Sequence, residues 1–345
     1  MRVDLFDYEL PADRIAQEPR PRGESRLLTL DRRTGALEHL AFSEFPERLR
    51  PGDLLVRNDV RVRPARLYGR DAAGRPVEIF LIAPLGEDRR AWSALARPGR
   101  RARRGSRIAF DEGLETAVDD VSPDGRRTVR FDRAVDDALL DRIGHVPLPP
   151  YIRREAGAPD RPEDREAYQT VFARDPVAVA APTAGLHFTE EVLDRIRKRG
   201  CGIADLTLAV GPGTFKPVTA EDTGGHVLDA EEVRLPRETG ALVAETKARG
   251  GRVVAVGTTV TRALEAAARG EAPAAGEKFS TGLFITPGFE FRAVDALLTN
   301  FHLPRSTLLM LVAAFAGREN VLAAYAEAVR EKYLFYSYGD AMFIA

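Results

Sequence analysis

Apolar residues recur along this chain with two different periods. In "RLLTLDRRTGALEHLAF" they alternate with polar residues on both sides of Arg33-Thr34-Gly35, which predicts a β-hairpin with a short glycine-containing loop. After "PGDLLVRNDV" come short segments, "EIFLIAPL", "AWSALARPG", "SRIAF", "LETAVDDV" and "RTVRF", separated by Gly, Pro and Asp turns and without sustained helical spacing. Residues from about 61 to 145 therefore read as a small all-β barrel or sandwich. "GHVPLPPYIRREAGAPDRPEDREAY" is too rich in Pro and charge for a core element and reads as the return crossing from that module, laid over the surface.

The remainder changes period. "PVAVAA" predicts a short buried strand, followed by the loop "PTAGLHF" and then "TEEVLDRIRKRG", where Thr189 offers an N-cap, two acids fill the first turn, bases fill the last and Gly200 is the stop. The same order recurs in "RVVAVGTTVTRALEAAARG", with the loop Gly257-Thr258-Thr259 and a stop at Gly270. It recurs again in "DALLTNFHLPRSTLLMLVAAFAG", where Thr299-Asn300-Phe301-His302 lead from a strand to a helix capped by Ser306 and ended by Gly317. Three strand–loop–helix units predict an α/β layer with a mostly parallel sheet. The organisation that follows is a discontinuous α/β catalytic domain, residues 1–60 and 150–345, with a small β-barrel domain inserted at 61–149. Loops that leave the C-terminal strand ends of such a sheet line the ligand crevice. His187, Thr258, Thr259, Asn300 and His302 are then expected on one rim.

Composition narrows the class. A chain of 345 residues with 44% hydrophobic content can bury a sizeable core and is expected to form two domains. Its one cysteine, Cys201, excludes an internal disulfide, and no N-terminal stretch pairs basic residues with an apolar run, so a cytoplasmic protein is expected. The longest apolar window, Leu308 to Ala316, falls short of the ~18 residues that span a bilayer, so no membrane role is expected. The net charge of −1 conceals an asymmetry: Arg57 to Arg107 holds 14 arginines against 5 carboxylates, a net of +9. Within it "RPGRRARRGSR" carries Arg97, Arg100, Arg101, Arg103, Arg104 and Arg107, a cluster suited to nucleic-acid phosphates. The alternative is a solvated surface, since arginine outnumbers lysine throughout the chain.

A lone histidine beside a helix start is usually structural. Two in equivalent loops, among histidines at only 39, 145, 187, 226 and 302, turn the balance toward chemistry, because a neutral imidazole with an ordinary pKa of ~6.5 suits general base catalysis. No metal is expected: there is no His pair at i, i+4, no CxxC and no ligand-like spacing of carboxylates. Gly211-Pro212-Gly213-Thr214 is either an ordinary tight turn or a close backbone approach to an anionic or hydroxyl-bearing ligand. Thr258 and Thr259 at a helix start either cap it or meet the carboxylate or hydroxyl of a small ligand.

Together, "FDYELPADRIAQ", "PGDLLVRNDVRVRPARLYGR", "GHVPLPPYI", "YQTVFA", "VAAPTAGLHFT", "VGPGTFKPV", "VGTTVTRALE", "ITPGFEF", "LLTNFHLPRSTLLMLVAAFAG" and "YSYGDAMFI" stand in an order that resembles the S-adenosylmethionine:tRNA ribosyltransferase-isomerase family of queuosine biosynthesis, from about Asp4 to Ile344. The resemblance implies a β-barrel inserted in an α/β catalytic domain. It implies S-adenosylmethionine as co-substrate, and transfer of its ribosyl moiety to the 7-aminomethyl-7-deazaguanine base in a tRNA anticodon, giving epoxyqueuosine-tRNA, adenine and methionine. The sulfonium acidifies C5′; loss of a proton there opens the ribose and releases adenine, the substrate amine adds, and epoxide closure expels methionine. His187 or His302 is the candidate base, with Asp340 toward the cationic groups. Thr183, Gly211, Gly213, Thr214, Thr258, Thr259, Asn300 and Arg305 are the candidates for the nucleoside and its methionine end. Asn58, Asp59, Arg61, Arg101 and Glu231 are those for the tRNA substrate, the barrel arginines gripping the anticodon stem-loop. Asn58-Asp59 also reads as a turn closing its strand. No obligate protein partner is implied.

Three departures fall in the site loops. Ala209 stands where the family usually has a histidine in LHVGxGTF, Asp229 where it has the second histidine of HxxHxE, and Val260 where GTTSVR has serine. Two alternatives therefore stay open: an S-adenosylmethionine enzyme with a small-molecule acceptor, and a non-catalytic tRNA-binding homologue.

Overall fold

A computed structural model describes residues 1–155, 157–211, 220–272 and 278–345. Two compact units result. The first is Met1–Val60, Gln169–Asp175 and Ala181–Ala345, and the second is Arg61–Tyr168 with Pro176–Ala180.

The first unit is built on a nine-stranded sheet in the order Lys278–Thr281, Glu231–Arg234, Gly202–Leu208, Leu54–Asn58, Val253–Val256, Ala296–Asn300, Ala341–Ile344, Arg26–Leu30, Leu37–Ala41. Its central members are buried end to end, and so read as continuous apolar runs rather than as alternation. Parallel pairing joins Leu54–Asn58 to Gly202–Leu208 and to Val253–Val256, Val253–Val256 to Ala296–Asn300, and Ala341–Ile344 to Arg26–Leu30. The other four pairings are antiparallel. The expectation of a mostly parallel sheet is thus corrected to a mixed one. One helix between strands returns the chain to the same end of the sheet, but Thr307–Ala316 and Arg318–Arg330 follow one another, so Ala341–Ile344 enters from the opposite end.

The predicted hairpin forms, with Leu30 opposite Leu37. Both predicted caps form as well: Thr189 Oγ1 accepts from the N–H of Val192 at 3.2 Å, and Ser306 Oγ from that of Leu309 at 3.2 Å. The Glu190–Lys198 helix buries Val192, Leu193 and Ile196 against Phe42, Phe45 and Phe188. Among the described residues no single helix is long and apolar enough to cross a membrane.

The second unit is a closed antiparallel barrel in the order Arg127–Phe131, Ala91–Arg97, Pro76–Pro84, Arg66–Asp71, Arg107–Ala109, Glu115–Val121. Alternation sends Leu67, Val77, Ile79, Trp92, Val118 and Val129 inward. The proline-rich stretch after residue 144 is not a surface strap, as its composition suggested. Val146, Leu148, Ile152 and Tyr168 are buried and belong to this unit, because proline fixes the backbone angle without keeping neighbouring side chains out of a core.

Candidate active site

Loops that follow Gly202–Leu208, Val253–Val256 and Ala296–Asn300 leave the sheet, whereas the expected "PVAVAA" strand, Asp175–Ala178, is not part of it: it pairs with Val60–Val62 in a separate two-stranded sheet, and the loop after it carries His187. A short 3₁₀ turn, Thr183–Gly185, delivers His187, which is 3% exposed. Its Nδ1 lies 2.8 Å from Ser25 Oγ and its Nε2 3.2 Å from Asn300 Nδ2. Burial pushes the imidazole down to about 4, so it is neutral near pH 7. Asn300 also donates from Nδ2 to the carbonyl of Tyr336 at 2.9 Å. With the Asn300 amide donating to Nε2, the ring proton of His187 sits on Nδ1 and is offered to Ser25. Asn300 Oδ1 is left buried with no partner among the described residues.

The loop after Val253–Val256 meets the one that carries His187. Gly257 has φ of 94°, a conformation that favours glycine, and the Cβ of Ala184 stands 3.6 Å from where a side chain at Gly257 would begin. Gly257 gives no side-chain cap to the helix Thr258–Ala268, so the first N–H groups of that helix are available to an anion. Thr258 and Thr259 are both buried there, and Thr259 Oγ1 has no partner among the described residues. Three positions on, and so on the same helix face, Arg262 donates through Nη1 to Glu231 Oε2 at 2.5 Å and through Nε to the carbonyl of Leu283 at 3.0 Å. Its Nη2 is buried and has no partner among the described residues. Glu231 Oε1 accepts from the N–H of Gly211 at 3.0 Å, which ties a third loop to the same helix. A hydroxyl, a guanidinium N–H and an uncapped helix start are chemically able to hold a carboxylate.

His302 is buried, and burial pushes its imidazole down to about 3. Its Nε2 is 2.7 Å from Thr299 Oγ1, and that hydroxyl donates to the carbonyl of Asn300 at 3.3 Å. The ring therefore donates from Nε2 and keeps a lone pair on Nδ1, which has no partner among the described residues. Its carbonyl accepts from the Tyr8 hydroxyl at 2.5 Å.

The other expected site residues are held by their own surroundings. Asp340 is fully buried: Oδ1 accepts from Arg20 Nη1 and from the N–H of Arg26, each at 2.8 Å, and Oδ2 from the N–H of Leu334 at 2.7 Å. Arg305 is exposed and bound through Nε to Asp7 at 2.9 Å. Asn58 extends a strand pairing with its side chain, donating to the carbonyl of Leu208 and accepting from its N–H, each at 3.0 Å. Asp59 accepts from Thr207 Oγ1 at 2.7 Å, and burial raises its carboxyl above the usual range. The carbonyl of Thr183 closes the 3₁₀ turn. In the barrel unit Arg61 is exposed, 3.4 Å from Asp141, and Arg101 donates to the carbonyl of Pro76 at 2.8 Å. Gly213 and Thr214 lie outside the described residues.

Sequence reasoning missed Ser25, Arg262 and Tyr336. Arg262 had a signal: it is the one cation in a helix otherwise composed of small and apolar residues with a single glutamate, and it lies three positions after Thr259. Ser25 and the Tyr336 carbonyl had none, since both reach the site through pairings far along the chain. Among the described residues no group of three or more His, Cys, Asp or Glu is placed to hold a metal ion.

Fold and site together are those of an α/β protein with buried, unsatisfied polar groups and an arginine-bearing barrel unit. Residues 3–344 match the sequence model of the family described as queuosine biosynthesis protein, and the chain belongs to that family. It is similar to the S-adenosylmethionine:tRNA ribosyltransferase-isomerases of Anaeromyxobacter sp. (strain Fw109-5), at 53% identity over 100% of this chain and 99% of the relative, and of Thermotoga maritima, at 49% identity over 100% of both. A crystal structure of S-adenosylmethionine tRNA ribosyltransferase from Thermotoga maritima matches with a TM-score of 0.55 and 42% identity, covering 99% of this chain and 100% of that one.

Proposed function

We propose that this protein transfers and isomerises the ribosyl moiety of S-adenosylmethionine onto the 7-aminomethyl-7-deazaguanine base of tRNA, leaving epoxyqueuosine and releasing adenine and methionine. The observation that carries the reading is that Thr259 Oγ1, Arg262 Nη2 and Asn300 Oδ1 are buried without a partner among the described residues, Thr259 and Arg262 on the helix that starts beside Ala184 and Asn300 bonded to His187 on the loop that follows Ala184. Buried polar groups are ordinarily satisfied, so such orphans suit a ligand. The substrate has the complementary groups. Its carboxylate fits Arg262, Thr259 and the helix start, and its ammonium or a ribose hydroxyl donates to Asn300 Oδ1.

Within that site His187 is a positioning residue: its Nε2 is committed to Asn300, and the bond aims the amide oxygen. His302 is assigned as the proton acceptor for C5′ because its Nδ1 lone pair has no partner among the described residues. Asp340 fixes the loops behind the site rather than touching substrate. Loss of the C5′ proton opens the ribose and expels adenine; attack by the aminomethyl nitrogen and closure of the epoxide then expel methionine.

The tRNA is held by the barrel unit. Arg97, Arg100, Arg103, Arg104 and Arg107 have no carboxylate partner among the described residues, whereas Arg130 and Arg142 are paired to Asp119 and Glu112. Unpaired guanidinium groups exchange counterions for phosphates at least cost, and the anticodon stem-loop, which carries the target base, is the part of the tRNA they would meet. Incubation with S-adenosylmethionine, with and without tRNA bearing the aminomethyl base, tests the reading: free adenine appears only with the tRNA. Turnover without RNA would move the acceptor to a small molecule. Absence of S-adenosylmethionine binding by calorimetry would leave a non-catalytic RNA-binding protein.

A further inference from the structure

The barrel unit carries a cavity apart from the residues assigned to the reaction above. Its volume is about 470 Å³, within the range of cavities that hold small ligands, and it adjoins a second of about 740 Å³. Tyr68, Glu78, Arg97 and His145 line both, so the two hollows form one cleft divided over these four residues.

Strand register explains their meeting. Tyr68 lies opposite Glu78, and Glu78 opposite Arg97, so one row crosses three neighbouring strands. The inward alternates Leu67, Val77 and Ile79 fill the barrel, which turns this row outward. The His145 ring packs edge-on to Tyr68 with centroids 4.9 Å apart. Its Nδ1 is anchored 2.9 Å from Asp160 Oδ1, and its Nε2 has no partner among the described residues. Arg97 is exposed and without a carboxylate partner among the described residues, since its row neighbour Glu78 lies 3.5 Å from Arg66 Nε instead and turns its remaining acceptor capacity to the cleft. Val146, Leu148 and Ile152 supply an apolar wall.

We infer that this cleft takes one unstacked nucleotide of the tRNA, other than the base being modified: the base packs beside Tyr68 and His145, its N–H donors face Glu78, and its phosphate meets Arg97. The inference rests on the tRNA reading above. Aromatic side chains next to arginines and a carboxylate are the chemistry by which single-stranded RNA is held. The occupant is RNA rather than an acidic peptide because the cleft offers ring faces and a base-edge acceptor as well as cations. The unpaired arginines from Arg100 to Arg107 also continue from the same strand end that carries Arg97.

The test uses the full-length protein and tRNA bearing the aminomethyl base. The Tyr68→Ala variant is expected to raise KM and Kd for tRNA about tenfold, the usual loss when one base loses its stacking partner, while Kd for S-adenosylmethionine stays at the wild-type value. Tyr68→Phe retains the ring and is expected to restore tRNA affinity to within twofold, which separates stacking from a folding defect. Arg97→Ala is expected to lower the salt slope of tRNA binding by about one phosphate contact. Wild-type affinity in Tyr68→Ala, or equal weakening in Tyr68→Phe, would overturn the inference. If the wild type itself shows no tRNA-dependent release of adenine, it is the reading of the reaction that fails.

Discussion

His187 and Asn300, 113 residues apart in the chain, are joined directly, Nε2 to Nδ2, at 3.2 Å. The contact fixes which way the amide faces, and its oxygen has no partner among the described residues. Asn300→Asp removes the donors to His187 and to the Tyr336 carbonyl. It is expected to weaken S-adenosylmethionine binding by at least tenfold in a calorimetric titration, about 1.4 kcal/mol or more. Unchanged affinity would show that the bonds from Nδ2 to His187 and Tyr336 do not set the ligand's acceptor.

The two buried imidazoles make stability depend on pH. His187 is pushed down to about 4 and His302 to about 3, both below the ~6.5 of an unfolded histidine. Between those values the unfolded chain binds more protons than the folded one. The stability of the neutral rings is therefore fully present above pH 6.5 and is lost as pH falls toward 4, with a slope of up to about 1.4 kcal/mol per pH unit for each ring. Urea unfolding at pH 7, 6 and 5 should show a shallower decline in His187→Gln than in the wild type. Parallel curves would rule out the burial effect.

Arg262 and Glu231 form an ion pair in which each side chain is 6% exposed. Glu231→Ala strands a buried guanidinium and is expected to destabilise the fold by about 3–5 kcal/mol. Arg262→Lys keeps the charge but loses the planar fork that reaches Glu231 and the Leu283 carbonyl together. Its expected signature is a raised KM for S-adenosylmethionine; steady-state adenine release is the measurement, and a wild-type KM would exclude Arg262 from the receptor.

Glu265 is fully buried and accepts from the N–H groups of Arg292, Ala293 and Val294 at 2.9–3.1 Å. Glu265→Ala leaves them without an acceptor, at about 1–3 kcal/mol for each that water cannot reach. A loss of more than about 3 kcal/mol in urea unfolding is expected, and a loss under about 1 kcal/mol would show that water replaces the carboxylate.

Much of the fold was written locally. Thr189, Ser306, Gly200, Gly270 and Gly317 bound their helices by capping chemistry and left-handed turns that act within a few residues, so a linear reading finds them. Strand direction was not legible in the same way, because whether Ala341–Ile344 runs with or against Ala296–Asn300 depends on how many helices return the chain between them. The site divides likewise. Asn300 and Thr259 could be named from their places at strand and helix ends. Arg262 acquires its role from Glu231, 31 positions away, and Asp340, which reads as a loose acid in "YSYGDAMF", is engaged by Arg20 and Arg26 from the other end of the chain.

The two units are interleaved along the chain: it changes unit between residues 60 and 61, 168 and 169, 175 and 176, and 180 and 181. The barrel is therefore no removable cassette. Joining Val60 to Gln169 would excise its strands yet leave Pro176–Ala180, five residues of its own, behind in the remaining polypeptide. A version of the chain without the barrel would have to reroute this segment as well as close the gap between residues 60 and 169.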